Sequence, residues 1–308
     1  TVAVILQLEA AGKLSIDDTL GKWLPEYPAW KDVTIHRLLD MTSDIPNYSE
    51  TGWMSRTWAD EPMRALTLKE LVAAAYPSAT NQLPATKGYH YCNTNYILAA
   101  MIAEKATGKS FRDLVHEMVI EPQGLNSTFY EASTYPESVT TRLSHGYFEN
   151  EACSEYQPDC KQPWNAPIIG TDWRDKSVSW MQSAGGAVSS ARDVDRWMRA
   201  VFGGKVVPPK QQKEWEALVS MKTAEPIADV SEDEPAGFAL GLGKRMFEAP
   251  LGAEWFYEGE SLGYRTLYVW IAGEDLMITV QTNSQPPDGT DKIGDAVSAI
   301  YDIVKKPE

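Results

Sequence analysis

A chain of 308 residues with 43% apolar and 23% charged side chains has the make-up of a folded protein, long enough for one large domain or two intimately packed ones. Its formal charge of −15 opposes binding to nucleic-acid phosphates or anionic lipid, where lysine and arginine must neutralise the partner. Purely apolar runs such as "VAVIL" at Val2 to Leu6 fall far short of the roughly 20 residues that span a bilayer, so no transmembrane segment is expected.

The first stretch, "TVAVILQLEAAGKL", reads as a helix that is apolar nearly all round until Glu9, with no polar cap ahead of it. Such a helix belongs in the middle of a domain, and the expectation is that something precedes it in the native polypeptide. Short helices follow behind threonine caps, "TIHRLLDM" from Thr34 and "TLKELVAAAY" from Thr67. A helix from Asn95 stops at Gly108. Ser110 opens the next, with Asp113 in the capping-box place and Phe111, Leu114, Val115, Met118 and Val119 on one face.

An irregular stretch from about Ser133 to Trp180 comes next. Within it Cys153 and Cys160 bracket the polar "SEYQPD" and read as a short disulfide of an exported protein, the alternative being two free thiols. The remaining thiol, Cys92, reads as a semi-buried gap filler. Ser190 then caps a helix with Asp193 answering it, and Val194, Trp197, Met198 and Val201 form its apolar stripe.

From about Gly237 the apolar period changes to two. "FALGLG", "EWFYEG", "YRTLYVWIA" and "DLMITVQTN" read as strands of an antiparallel meander. A last helix, with Ile293, Val297, Ile300, Tyr301 and Val304 at helical spacing, is suited to lie across that sheet. Helices, then strands, then a covering helix make an α+β fold.

Metal chemistry finds little support: His36, His90, His116 and His145 show no ligand spacing, and His116 falls where exposure to solvent is the simpler role. "GLGK" at Gly241 lacks the context of a phosphate loop, so no cofactor is expected. No pair of carboxylates reads as a glycosidase dyad.

Seven phrases in order carry a resemblance: "AVILQLEAAGKLSIDDTLGKWLPEYP", "VTIHRLLDMTSDIPNY", "YHYCNTNYILAAMIAEKATGKSF", "IEPQGLNSTFY", "SAGGAVSSARDVDRWMRAV", "YEGESLGYRT" and "DLMITVQTN". Together they resemble the serine β-lactamase-like superfamily of class C β-lactamases, D-Ala-D-Ala carboxypeptidases and related esterases. The resemblance implies an antiparallel β-sheet flanked by helices with an all-helical region. It also implies one β-lactamase-like domain over residues 1–308, shortened at its N-terminus, with 34–180 approximately the helical and irregular region and 237–308 the strands and covering helix.

The resemblance implies a serine hydrolase that forms an acyl-enzyme on a small-molecule or peptide substrate, in the periplasm or secreted. The family's Tyr-x-Asn motif matches Tyr91-Cys92-Asn93, where Tyr91 would share proton transfer and Asn93 would hold a substrate amide and the family's lysine at once. Read alone, Tyr91 is a structural aromatic ahead of a helix. The family's inner-strand motif matches Tyr257-Glu258-Gly259, with Gly259 giving substrate room and the backbone N–H of Glu260 donating to an oxyanion. Without the resemblance, "YEGESLGY" is a strand end and a turn.

Three departures qualify the match. No Ser-x-x-Lys occurs in these residues, and the resemblance puts its serine about six positions before Thr1. Relatives carry a carboxylate-binding cation where Tyr257 stands, which weakens the lactamase reading, and the direction of nearby Arg265 is open. Asp44 replaces a usual glycine and reads as loop variation. The alternative to an enzyme is a non-catalytic member that keeps the cleft for binding.

Overall fold

The structure is a computed structural model, and it describes residues 1–79, 81–84, 86–151, 165–248, 251–284, 286–288, 290 and 292–305. Cys153 and Cys160 lie outside the described residues. Helices dominate the first half: α1 (Val2–Ala10), α2 (Ile35–Leu39), α3 (Gly52–Asp60), α4 (Leu68–Ala75), α5 (Asn93–Thr107) and α6 (Phe111–Val115). Later come α7 (Ala191–Phe202), α8 (Pro209–Trp215) and α9 (Ile293–Lys305).

Seven strands form one sheet: β1 (Leu218–Ser220), β2 (Pro226–Ile227), β3 (Ala236–Phe238), β4 (Gly243–Phe247), β5 (Gly252–Ser261), β6 (Tyr264–Ile271) and β7 (Leu276–Thr282). Their order is β7-β6-β5-β4-β3-β1-β2, and every pairing is antiparallel. Three of the four expected strands of the meander are β5, β6 and β7, and β4 was not read from the sequence. "FALGLG" is corrected, because only Phe238 and Gly243 of it are in strands; Ala239 to Leu242 form the connection between β3 and β4.

Side chains alternate across the sheet, so its two faces meet different helices. Leu267, Val269, Ile271 and Ile278 pack with Ile293, Val297 and Tyr301 of α9. Each such side chain removed from water contributes about 1.5–3 kcal/mol as an upper estimate. Ile300 and Val304 are exposed instead, so the stripe on α9 is narrower than its sequence spacing implied. On the other face Phe202 of α7 stacks on Trp270, with ring centroids 6.0 Å apart, and lies 5.7 Å from Trp255.

The helices follow their sequence signals at their ends. Thr34 accepts a bond from the N–H of Arg37, and Thr67 with Glu70 forms a reciprocal capping box. Gly108 ends α5 in the left-handed conformation, at φ +73°. Ser190 caps α7 as expected, but Asp193 does not reach back to it: its carboxylate accepts from the N–H of Ser127 at 2.7 Å and the hydroxyl of Thr128. That bond ties α7 to a short ribbon, Thr128–Tyr130 paired with Ala187–Ser189. His116 is half-buried rather than exposed, with Nε2 3.1 Å from the Tyr130 carbonyl oxygen.

Two elements position the site. Helix α5 is buried through most of its length, from Thr94 to Ala103, which makes its N-terminus a fixed point. The hairpin between β5 and β6 seats on Gly146: a Cβ there would lie 2.2 Å from the Tyr264 ring. Leu262 at its tip packs with Phe148, Ile168 and Trp173, anchoring the far end of β5.

Candidate active site

The site begins where α2 ends. Met41 holds a left-handed backbone, φ +64°, that few side chains adopt without strain. Three bonds reward it: its carbonyl accepts the N–H of His90 at 3.0 Å, and its sulfur accepts the N–H of Cys92 at 3.3 Å and Nδ2 of Asn95 at 3.5 Å. The loop carrying Tyr91 is thereby fixed before α5 starts. Cys92 is a buried, free thiol pushed up to about 12 by burial, a packing residue as its sequence context implied.

Asp44 has more than the loop variation expected of it. Its backbone is also left-handed, φ +61°, which explains why glycine suits the place. Its carboxylate receives the N–H of Gly88 at 3.3 Å and Arg37 at 3.2 Å, clipping down the loop that leads into Tyr91. In urea denaturation, Asp44→Gly should change stability by under about 1 kcal/mol, whereas Asp44→Val should cost about 2 kcal/mol through backbone strain. Equal stability of the two variants would contradict this account.

Tyr91 and Tyr257 meet although 166 residues separate them, the Tyr257 hydroxyl donating to Tyr91 Oη at 2.5 Å. Their rings lie 6.3 Å apart, and Phe238 sits 6.1 Å and 6.2 Å from them. Tyr96 closes the group at 5.9 Å from Tyr91. Burial raises the pKa of both phenols, most strongly for Tyr257, because a phenolate is poorly solvated there. Hydrogen bonding from Tyr257 and Tyr96 pulls Tyr91 partly back. Among the described residues no cation contributes to either shift.

Gly259 and Glu260 follow Tyr257 on β5, and both are exposed. A Cβ on Gly259 would meet only the Thr266 carbonyl, at 3.9 Å, so the residue leaves open space rather than relieving a clash. Strand β4 pairs with β5 only as far as Phe256, opposite Gly243, and among the described residues Tyr257 to Ser261 have no partner strand on that side. Arg265 stands opposite Glu260 in the register, and its guanidinium bonds Glu258 at 2.6 Å and Glu260 at 2.8 Å. Strand alternation puts these three on the face away from Tyr257.

Asn93 opens α5, with its amide N–H bonded to Asn47 Oδ1 at 3.2 Å and its Nδ2 to Ser49 Oγ at 2.9 Å. Neither Asn47 nor Ser49 was singled out from sequence; the signal available was an Asn-x-Ser pair able to form an Asx turn. Among the described residues no group of three or more His, Cys, Asp or Glu is placed to hold a metal, and no helix is long and apolar enough to cross a membrane.

The tyrosine pair thus joins the turn before a buried helix to an inner strand. Residues 1–301 match the Beta-lactamase family. The chain belongs to that family. Penicillin-binding protein 4* of Bacillus subtilis (strain 168) is 32% identical over 148 residues, 48% of this chain and 32% of that protein. This chain thus spans about a third of that relative's length. A D-stereospecific amidohydrolase from Streptomyces sp. superposes with a TM-score of 0.78 at 24% identity, over 96% of this chain and 82% of that one. D-amino acid amidase from Ochrobactrum anthropi SV3 superposes with a TM-score of 0.73 at 19% identity, over 99% and 81%. These superpositions share the fold of this beta-lactamase family member, which is the α+β arrangement expected from its sequence.

Proposed function

We propose that the protein is a serine hydrolase that acts through an acyl-enzyme on a small ester or amide. The single observation that carries this reading is the hydrogen bond from Tyr257 to Tyr91, which brings two family motifs together. The reading needs a Ser-x-x-Lys to supply nucleophile and lysine, and none occurs in these residues. A lysine arriving beside Tyr91 would lower its pKa and make it a proton relay between serine and leaving group. The Glu260 N–H would donate to the oxyanion, Gly259 would leave room for substrate, and Asn93 would orient it.

The substrate class follows from charge. Tyr257 offers a neutral hydroxyl, and Arg265 faces away with two carboxylates, so neither of them supplies a cation to a substrate carboxylate. Esters and amides without that carboxylate fit better than penicillins. The names of the D-stereospecific amidohydrolase and the D-amino acid amidase support amides of D-amino acids as a class to try. A periplasmic or secreted location goes with this reading, as the resemblance implies.

The test is chemical. Full-length protein treated with a fluorophosphonate should gain one adduct by intact mass, and peptide mapping should place it on a serine followed three positions later by lysine. No adduct, together with upstream codons that lack Ser-x-x-Lys, would overturn the enzyme reading in favour of a non-catalytic binding protein.

A further inference from the structure

We infer that Glu9 of α1 and Glu214 of α8 share one proton, and that this acid–carboxylate pair is a clasp between the two helices that grips in mildly acidic surroundings and opens as pH rises. The donors around them decide which is the acid. The Glu9 side chain, 7% exposed, receives the N–H of Ile16 on Oε1 and Nε2 of Gln211 on Oε2, each at 3.2 Å. Both of its oxygens act as acceptors, which suits the carboxylate form. Glu214 receives Lys210 Nζ at 3.0 Å on Oε1, but its Oε2 is sealed from solvent and meets no donor among the described residues.

An anionic oxygen sealed without a donor is costly, whereas a protonated one brings its own. The two carboxyl groups are in hydrogen-bonding contact, so a proton on Glu214 has the Glu9 carboxylate as its acceptor. Lys210 reaches within 3.8 Å of Glu9 Oε2 as well, but at 68% exposure it is too well screened to balance a second buried anion. Burial raises the pKa of Glu214, helped by the bond and charge of Glu9 and opposed by Lys210. Burial alone would raise Glu9 too, but the bonds from Ile16, Gln211 and Glu214, with the charge of Lys210, outweigh it and bring Glu9 down.

The other charged groups facing the pair are Asp17, which acts on Lys210, and His36 of α2, which feels Glu214 and Asp17. His36 Nδ1 lies 3.2 Å from Asp40 Oδ2, and that bond is the chief cause of its own raised pKa. Glu214, raised in the fold, contributes stability that is whole below its ordinary value of 4.5 and lost as pH climbs through the raised one. Glu9, lowered, contributes stability present above 4.5 and lost as pH falls through the lowered value. The clasp grips between the two, and His36 adds a loss of its own as it sheds its proton. Opening leaves two buried anions side by side at the root of α8, whose last residue, Trp215, accepts the N–H of Leu240 from the β3–β4 connection at 3.2 Å.

The test needs no turnover. In the full-length protein at about pH 5.5, where an ordinary glutamate with a pKa near 4.3 is ionised, the infrared spectrum of wild type minus Glu214→Gln should show one carbonyl band of an un-ionised carboxyl group. Glu9→Gln should shift the loss of that band to lower pH, because the anion that opposes ionisation of Glu214 is gone. An amide at 214 keeps a donor for Glu9 and an acceptor for Lys210, so Glu214→Gln should fold and should flatten the fall of the thermal midpoint with rising pH up to the range where His36 titrates. No such band, or a band that Glu9→Gln leaves in place, overturns the shared proton. A fall in Glu214→Gln as steep as in the wild type overturns the clasp. A midpoint lowered in Glu214→Gln at every pH would make Glu214 the ionised partner of Lys210 and overturn both.

Discussion

Replacing Tyr91 by phenylalanine in the full-length protein should lower turnover by about 100-fold or more while leaving the thermal midpoint nearly unchanged, since a general acid–base group supplies roughly 10²–10⁴. The ring remains to pack against Phe238 and Tyr96, and only the hydroxyl that Tyr257 addresses is lost. Tyr257→Phe should cost less and leave a signature in the pH profile. The bond donated by Tyr257 stabilises the ionised form of Tyr91 and so lowers its pKa. Without it, the limb set by Tyr91 ionisation should move to higher pH. Full turnover in Tyr91→Phe would remove this phenol from the mechanism, and a limb moving to lower pH would reverse the role given to Tyr257.

Tyr257→Lys should raise kcat/KM for a chromogenic cephalosporin by about tenfold or more, because charge-assisted hydrogen bonds are roughly twice as strong as neutral ones. The wild type should instead favour a short-chain aryl ester. Arg265 cannot stand in for the new lysine: it is held by Glu258 and Glu260 across strand positions of the opposite parity. A wild-type preference for the cephalosporin would make the protein a β-lactamase and this use of Tyr257 mistaken.

What could be read in the sequence was whatever repeats locally. Helix caps at Thr34, Thr67 and Ser190, the stop at Gly108 and the alternation through β5 to β7 depend on neighbours a few residues apart, and they stand in the structure. What failed depended on distant partners. Asp193 is drawn to the Ser127 N–H across 66 residues, a pull no capping rule contains. Ile300 and Val304 have helical spacing, yet both are exposed on α9. Within the site, the resemblance named Tyr91 and Tyr257 separately, but only folding brings their hydroxyls together. Asn47 and Ser49 escaped notice because "PNYSE" looks like any polar turn until the amides that point at it are located.

The stretch of β5 beyond Phe256, from Tyr257 to Ser261, is a bare strand edge with backbone groups ready to pair. What lets an extended ligand lie along it would also let a second copy of the chain zip onto it. The ion ladder of Glu258, Arg265 and Glu260 carries one net negative charge, so a like strand docking there would bring like net charge against like. Neutralising both glutamates should therefore make the edge stickier, an outcome that sedimentation of the doubly substituted protein against its parent would show.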